Sequence, residues 1–313
     1  MKRGTRCLVT GGAGFIGSHL VRRLVAEGAQ LRVVDDLSTG TRANLDGVGA
    51  GLIEADLASS DLAPLVRDIE VVFHLAAVPS VPRSVREPLR SHAAAATATL
   101  RLLEASRDAG VRRFVNSSSS SVYGNVARPP MRESMPTLPR SPYAVAKLAA
   151  EGYTRLFAGL FGLSTVSLRY FNVFGPRQDP ASQYAAAIPR FIRAYLGRTP
   201  PVVYGDGRQS RDFTYVDNVV DANILAADAA TLAGESVNVA AGAPRSVLDV
   251  LGAIADAVGH RIEPSFESPR AGDIRDSHAD ISLAKKLLGY EPRVSFDEGL
   301  RRTIAWFRES TRG

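Results

Sequence analysis

The chain has 313 residues, of which 45% are hydrophobic and 22% charged, and its mean hydropathy of −0.03 excludes an intrinsically disordered chain. Its net charge of +6 comes from 38 Lys and Arg against 32 Asp and Glu residues. Because the arginines are scattered, without a basic tract or interleaved aromatics, the charge argues against a nucleic-acid groove and favours an anionic small-molecule ligand.

The single Cys7 excludes a disulfide framework and a cysteine metal cluster. Residues 1–12 pass from charged residues into a short apolar stretch and then glycines, unlike a signal peptide. Nothing approaches the roughly 18 consecutive apolar residues that a membrane span requires. We therefore expect a cytoplasmic protein without membrane or metal partners.

Short apolar strands alternate with helix-length segments through the first half of the chain. The pattern predicts strands at 7–10, 31–35, 51–54, 71–75, 113–117 and 165–170, and helices at 16–27, 89–109 and 143–161. This alternation predicts an α/β protein with a doubly wound parallel sheet of the Rossmann type.

After about residue 172 the elements become shorter and are separated by Pro and Gly, as in "FGPRQDP" and "TPPVVYGDGRQ". This change predicts a second, smaller, substrate-binding lobe. A helix at 215–230 followed by "SVNVAAG" predicts that the chain re-enters the first lobe at about 212–241. The expected domains are therefore a dinucleotide-binding domain at 1–171, with this re-entry, and a second lobe at 172–313.

A glycine motif, "TGGAGFIGSHL", places Gly11, Gly14 and Gly17 between the first strand and the first helix. Glycines there let backbone N–H groups approach a pyrophosphate, which also meets the positive end of the helix dipole. Asp35 ends the second strand, where a carboxylate accepts hydrogen bonds from an adenosine ribose. Because that carboxylate would repel a 2′-phosphate, we expect NAD rather than NADP.

Later segments extend the predicted NAD site. Asp56 could contact the adenine amine, or it could cap the helix that follows. "HLAA" at 74–77 leaves room beside a cofactor, and His74 itself is interpreted as structural. The predicted cofactor-binding residues are Gly11, Gly14, Phe15, Ile16, Gly17, Asp35, Asp36, Leu37, Ser38, Thr39, Gly40, Asp56, Leu57, Leu75, Ala76, Ala77, Ser117, Tyr143, Lys147 and Tyr170.

"SPYAVAK" places Tyr143 and Lys147 on one face of a predicted helix. A lysine ammonium, helped by an oxidised nicotinamide, would lower the pKa of Tyr143 toward neutrality and make it a usable base. "SSSSSVYG" at 117–124 follows a strand at the edge where doubly wound sheets bind ligands. One of these hydroxyls could pass a proton between a substrate oxygen and Tyr143. A simple polar-loop interpretation stays open for Ser117 and Ser121.

With these motifs, the chain resembles the extended short-chain dehydrogenase/reductase superfamily, and within it the nucleotide-sugar 4-epimerases. The resemblance covers nearly the whole chain and includes "DDLSTG", "RYFNVFGPRQ", "GDGRQSRDFTYVDN" and "PRAGD". It implies that Ser119, four residues before Tyr123, is the catalytic serine, and that Tyr143 and Lys147 are the base and its partner. Related dehydratases and decarboxylases carry an acid where this chain has Ser120 and Ser121, so their chemistry is disfavoured.

The resemblance also implies a site for a UDP-sugar. Asn172 would bond the diphosphate, Arg211 and Arg270 its phosphates, and Asp273 the nucleotide ribose. Position 277 would line the pocket around C2 of the sugar, although Ser277 could instead cap a local turn. The predicted substrate-binding residues are Val81, Arg83, Ser118, Ser119, Ser120, Tyr143, Asn172, Ile188, Tyr204, Arg211, Arg270, Asp273 and Ser277, with no metal ligand.

Ala95 and Thr97 depart from the family pattern, because they replace two asparagines near the nicotinamide. Any contact made by those amides is absent here.

The expected activity is inversion at C4 of a UDP-hexose through a 4-keto intermediate, on UDP-Glc/UDP-Gal and on UDP-GlcNAc/UDP-GalNAc. The small Ser277 and the "VPRSV" loop at 81–85 favour the N-acetylated sugars. A uronic acid paired with Arg83, a one-way keto-sugar reductase and a non-catalytic NAD-sensing scaffold are the alternatives.

Helices 89–109 and 143–161 are expected to form a homodimer seam through Leu100, Leu103, Leu156 and Leu160, the alternative being burial of these leucines within one chain.

Overall fold

The computed structural model describes residues 1–125, 128–179, 187–269 and 275–310. Its centre is a seven-stranded parallel sheet in the order β11-β6-β5-β4-β1-β2-β3. The strands of this sheet are β1 Arg6–Thr10, β2 Gln30–Asp35, β3 Leu52–Glu54, β4 Val71–His74, β5 Arg113–Ser119, β6 Ser164–Tyr170 and β11 Glu235–Val239. The order reverses direction at β1, as in other doubly wound folds, so the predicted fold class is confirmed.

Helices cover both faces of this sheet. The helices are α1 Phe15–Ala26, α2 Ala63–Val66, α3 Val81–Arg86, α4 Pro88–His92, α5 Ala98–Asp108, α6 Pro142–Phe161, α7 Ala187–Leu196, α8 Val216–Asp228, α9 Val247–Val258, α10 Ser282–Leu288 and α11 Phe296–Ser310. On one face, Leu20 of α1 and Val219 of α8 pack against strand residues such as Val9. On the other face, Leu102 of α5 and Phe157 of α6 pack against strand residues such as Leu8.

The smaller lobe contains short strands. These are β7 Val173–Phe174, β8 Val202–Tyr204, β9 Ser210–Asp212, β10 Thr214–Tyr215, β12 Pro244–Ser246, β13 Ser265–Glu267 and β14 Asp276–Ser277. They pair as β10 with β7, as β12-β9-β14, and as β13 with β8. A separate apolar cluster joins α7, α9 and α11 through residues such as Ile192, Ile254 and Ile304.

The six predicted strands all occur, each with bounds shifted by no more than a few residues. β11 follows α8 and pairs with β6, so the chain returns to the large sheet after leaving it. The division into two domains with the predicted boundaries remains a prediction.

The predicted helix 89–109 occurs as a continuous helical segment, Pro88–Asp108, but it is not α-helical throughout. A π-helical turn, Ala93–Thr97, joins α4 to α5. Such turns insert one extra residue into the i→i−4 pattern and commonly mark functional sites. Its alanines give hydrophobic periodicity no signal with which to distinguish it from an α-helix.

Candidate active site

A cavity of about 670 Å³ lies at the carboxyl edge of the parallel sheet. All twenty predicted cofactor-binding residues line it, from Gly11 to Tyr170. It has further lining residues that the sequence did not single out, among them Ser80, Arg86, Ala94, Ala98, Gln178 and Asp179. Gln178 and Asp179 lie in the quoted "FGPRQDP" segment, whereas Ala94 and Ala98 are placed there by the unpredicted π-helical turn.

The glycine loop has the geometry that a dinucleotide requires. Gly11 has φ +69°, and a Cβ on Gly17 would lie 2.0 Å from the Gly11 carbonyl oxygen. Gly14 is the N-cap of α1 and offers no capping side chain, and no acid lies in the first helical turn. The cavity-facing end of α1 therefore combines close backbone approach with the positive pole of the helix dipole, which suits a pyrophosphate.

Asp35 holds two loops of this site together. Its carboxylate accepts hydrogen bonds from the backbone N–H groups of Ala13, at 2.9 Å, and Leu37, at 2.8 Å. Burial raises the pKa of Asp35, and these two bonds act against that rise. Each carboxylate oxygen can accept a further bond, so the carboxylate can still receive a ribose hydroxyl. That contact remains a prediction.

Asp56 does not cap a helix, because a turn follows it and the next helix begins only at Ala63. Its carboxylate accepts bonds from Ala58 N, at 2.8 Å, and Ser59 Oγ, at 3.0 Å, and so it caps the turn that follows. The residue also lines the cavity, and its contact with adenine stays a prediction.

His74 is a structural residue. Its two ring nitrogens lie 2.8 Å from Thr10 Oγ1 and 2.9 Å from Thr99 Oγ1. Burial, followed by the charge of Lys147, lowers the pKa of His74 to about 3. The imidazole is therefore neutral at working pH and connects β1, β4 and α5.

The helix α6 positions the two predicted catalytic groups. It begins at a Ser141 N-cap that accepts a bond from Ala144 N, has Pro142 in its first turn, and ends at Gly162 in the left-handed conformation. Tyr143 lies in the first turn, and Lys147 lies four residues later on the same face. Both side chains line the cavity.

Lys147 is almost fully buried, and its ammonium donates to the Ser117 carbonyl oxygen at 2.7 Å. Burial lowers the pKa of Lys147 to about 8, while Glu151 acts to raise it. The amine thus changes charge close to physiological pH.

The expected lowering of the Tyr143 pKa does not arise from the chain alone. Burial raises the pKa of Tyr143, and a hydrogen bond with Ser119 acts to lower it. No effect of Lys147 accompanies these two. A pKa near neutrality would therefore depend on the positive charge of the oxidised nicotinamide.

The serines of the run have different neighbours. Ser117 faces Lys147, Ser118 Oγ donates to Glu151 Oε1 at 2.5 Å, and Ser119 shares a hydrogen bond with Tyr143. Ser121 Oγ donates to Ser119 Oγ at 2.9 Å. Of the serines in the run, Ser119 is the one that interacts with the predicted base, as expected for a catalytic serine, although that role remains a prediction.

The predicted substrate-binding residues are only partly gathered at the cavity. Arg83, Ser118 and Tyr143 line it, whereas Val81 is exposed and Ile188 is buried in the apolar core of the smaller lobe. Tyr204 lies on β8 and Ser120 follows β5. Arg270 and Asp273 lie outside the described residues.

Three of the predicted substrate-binding residues lie on or beside β9. Arg211 on β9 is paired in register with Ser277 on β14, and Asn172 Nδ2 donates to the Asp212 carbonyl oxygen at 3.4 Å. Asn172 has φ +32°, a conformation that most non-glycine residues avoid. The predicted diphosphate and sugar residues therefore share one edge of the smaller lobe.

Among the described residues, no helix has both the length and the apolar character needed to cross a membrane. Within the same ranges, no group of three or more His, Cys, Asp or Glu side chains is placed to hold a metal ion.

Comparison with known proteins places this site in a family. A model of the "NAD dependent epimerase/dehydratase family" matches residues 7–240. The UDP-glucose 4-epimerase of Mycolicibacterium smegmatis is 42% identical in an alignment of 313 positions that covers 98% of this chain and 99% of that protein.

Two solved structures match the fold over nearly its whole length. One is a UDP-N-acetylglucosamine 4-epimerase from Methanobrevibacter ruminantium in complex with UDP-N-acetylmuramic acid, with a TM-score of 0.95 and 42% identity over 99% of this chain and 100% of that one. The other is a UDP-glucuronic acid 4-epimerase from Bacillus cereus in complex with UDP-glucuronic acid and NAD, with a TM-score of 0.91 and 33% identity over 98% of this chain and 100% of that one.

These matches confirm the expected resemblance and the expected cofactor, NAD. The chain therefore belongs to the NAD dependent epimerase/dehydratase family, and it is an NAD-dependent enzyme of the nucleotide-sugar 4-epimerase type.

Proposed function

We propose that the protein inverts C4 of a UDP-hexose, interconverting UDP-Glc with UDP-Gal and UDP-GlcNAc with UDP-GalNAc. The single observation that carries the proposal is the placement of Tyr143, bonded to Ser119 and one helical turn before Lys147, at the same cavity as the glycine loop. This puts a base and a dinucleotide cradle around one volume, with the Ser119 hydroxyl beside the base.

Each group has a role in this chemistry. Tyr143 would take the proton of the 4-hydroxyl, directly or through Ser119, and later return a proton to the 4-keto sugar. Lys147, whose ammonium donates to the Ser117 carbonyl oxygen, would hold the end of β5 against α6 and keep a positive charge in the cavity that also holds NAD. NAD, when bound, would supply reversible hydride transfer at C4. Because the hydride returns to the opposite face, the sugar must turn while its diphosphate stays fixed.

The residues near β9 support a fixed diphosphate. Arg211 has a planar guanidinium that binds two phosphate oxygens at once, and Asn172 offers an amide on the neighbouring segment. Arg270 and Asp273 are proposed as further contacts from the sequence motif alone.

The sugar preference is argued from Ser277. This small side chain is mostly buried and lies beside Arg211 in register. If it lines the pocket around C2, it leaves space for an N-acetyl group, which a tyrosine would fill. The second candidate substrate is UDP-GlcA, because Arg83 lines the cavity and could pair with a C6 carboxylate.

The proposal is tested by incubating the purified NAD-bound protein with UDP-GlcNAc, UDP-Glc and UDP-GlcA separately and identifying products by NMR. We expect C4 epimers from UDP-GlcNAc and UDP-Glc. Ser277→Tyr should reduce turnover of UDP-GlcNAc by at least about tenfold while sparing UDP-Glc, since a lost pocket of this size typically changes discrimination by 10–200-fold.

Two results would count against this. If the wild-type protein leaves UDP-GlcNAc unchanged, or if Ser277→Tyr handles it equally well, the pocket argument is wrong. If none of the three sugars is epimerised, the proposed UDP-hexose substrates are wrong.

A further inference from the structure

A buried ion pair lies next to the proposed catalytic groups, one helical turn after Lys147 on α6. Glu151 on α6 and Arg169 on β6 are both almost fully buried. Arg169 Nε donates to Glu151 Oε1 at 2.9 Å, and Arg169 Nη2 donates to Glu151 Oε2 at 2.7 Å. Burial opposes the charge of Arg169, but its bonds with Glu151 prevail and raise the pKa of the guanidinium.

The pair reaches the active site through a serine. Ser118 Oγ donates to Glu151 Oε1 at 2.5 Å, and Ser118 directly precedes Ser119 at the end of β5. On the other side, Ser236 Oγ on β11 donates to Glu151 Oε2 at 3.0 Å. One carboxylate therefore connects three neighbouring strands to the catalytic helix.

The same carboxylate lies in line with the catalytic side chains of α6. Tyr143, Lys147 and Glu151 follow one another at four-residue steps, so they lie on adjoining parts of one helix face. Arg169 also stacks over the ring of Tyr123, 4.7 Å from its centroid, in the segment that follows the serine run. The network thus contacts Ser118 inside the serine run and Tyr123 just after it.

We propose that Glu151 is a positioning residue of the active site, which holds the end of β5, through Ser118 and Arg169, at a fixed distance from the helix that carries Tyr143 and Lys147. A geometric error there is costly, because proton transfer between Ser119 and Tyr143 requires hydrogen-bond distance. Glu151 also favours the charged form of Lys147. This inference rests on the proposed function for its kinetic consequence only.

The experiment compares three variants with the wild type. Ser118→Ala removes one bond to Glu151 and leaves the ion pair intact. Ser236→Ala removes the bond to the other oxygen of the same carboxylate and is the matched control. Glu151→Leu/Arg169→Met removes the pair without leaving an unpaired buried charge, a replacement that often preserves folding.

Five quantities are measured for each protein: kcat and KM with UDP-Glc, bound NAD, melting temperature, and hydrogen exchange of segment 117–123 by mass spectrometry. We expect Ser118→Ala to lose about tenfold in kcat with KM and NAD content within about twofold, and the double variant to lose at least that. Both should exchange faster at 117–123. Ser236→Ala should match the wild type in kcat and in exchange.

Equal effects of Ser118→Ala and Ser236→Ala, or a folded double variant with wild-type kcat and exchange, would overturn the inference. Failure of the proposed function has a different signature. A wild type that turns over no UDP-sugar removes the activity, while the exchange comparison still shows whether Glu151 holds the strand end.

Discussion

Tyr143 is the residue on which the proposed chemistry depends most directly. Replacing it with phenylalanine removes one hydroxyl and keeps the ring that lines the cavity. We expect Tyr143→Phe to retain the fold and NAD, and to lose about three or more orders of magnitude in kcat, within the range that general-base catalysis commonly contributes. Steady-state assays with bound NAD measured by absorbance provide the check. Near-normal turnover would remove Tyr143 from the mechanism.

Lys147 gives the reaction an alkaline limit. Because burial lowers the pKa of this lysine to about 8, its ammonium loses its proton well below the pH at which an ordinary lysine does so. The charged form donates to the Ser117 carbonyl oxygen and supplies a positive charge in the cavity, so kcat/KM for UDP-Glc should decline as the pH rises above about 8. A pH profile from 6 to 10 measures this, with melting temperature followed in parallel.

The melting temperature is the control for general alkaline damage, and it should stay constant over the range in which kcat/KM declines. His74 is neutral throughout this range, since its pKa is lowered to about 3, and it therefore contributes no change in activity of its own. An alkaline limb that appears only above pH 10 would contradict the low pKa of Lys147.

The serine run shows which features of the candidate site could be predicted from the sequence and which could not. The sequence identified Tyr143, Lys147 and a serine hydroxyl as one constellation, because fixed spacings along a helix and after a strand place them at the same sheet edge. It could not allocate the hydroxyls among partners. That allocation depends on Glu151 and Arg169, which are separated from Ser118 by 33 and 51 positions and have no local signal.

At the scale of elements, the first βαβ unit depends on glycine packing. A Cβ on Gly17 would lie 2.0 Å from the Gly11 carbonyl oxygen and 2.8 Å from Gly12 Cα, both backbone atoms that cannot move aside. Gly17→Ala should therefore destabilise the protein by about 1–3 kcal/mol, as overpacking does, and weaken NAD binding by displacing α1.

Gly252 is the matched control, because it also lies inside a helix, α9, and a Cβ there would meet nothing within 4 Å. Gly252→Ala should stabilise the protein by roughly 0.5–1 kcal/mol and leave NAD binding unchanged. Urea unfolding and NAD titration of both variants provide the measurement. Equal changes in stability and in NAD binding for the two alanine variants would contradict the packing argument.

Element types followed from the sequence wherever a strong periodic pattern existed. The large sheet was predicted strand by strand, since its buried strands are short apolar runs between turn residues. The π-helical turn at Ala93–Thr97 was not predictable, because an alanine-rich stretch carries no periodicity. In the smaller lobe, tertiary contacts decide the outcome, so that Ile188, expected at the substrate, lies in an apolar core instead.

At the scale of the whole molecule, two of the four leucines predicted to form the dimer seam are not available for it. Leu103 is fully buried and Leu100 is partly buried against the same cluster, so neither presents a free apolar surface. Leu100 and Leu103 are instead packed within one chain, which is the alternative interpretation. Leu156 and Leu160 on α6 are 53% and 70% exposed.

A third exposed leucine lies on a helix that packs against α6. Leu89 on α4, a helix that contacts α6, is 85% exposed. Several large exposed apolar side chains on two packed helices are unusual on a free surface and are typical of an interface between identical chains. We therefore retain the prediction of a homodimer, now with a seam formed by Leu89, Leu156 and Leu160.

The test is a change of mass in solution. Leu160→Glu would place a charge within the seam, and burying it there without a partner is unfavourable. Light scattering at micromolar concentration should therefore give about twice the chain mass of 33.4 kDa for the wild type and the chain mass for Leu160→Glu. Phe266→Glu serves as the control, because Phe266 is 57% exposed on β13 in the smaller lobe and should leave the dimer intact. Because the proposed active site is built from one chain, Leu160→Glu should keep bound NAD. A monomeric wild type, or a Leu160→Glu variant that remains dimeric, would show that this face does not join two copies.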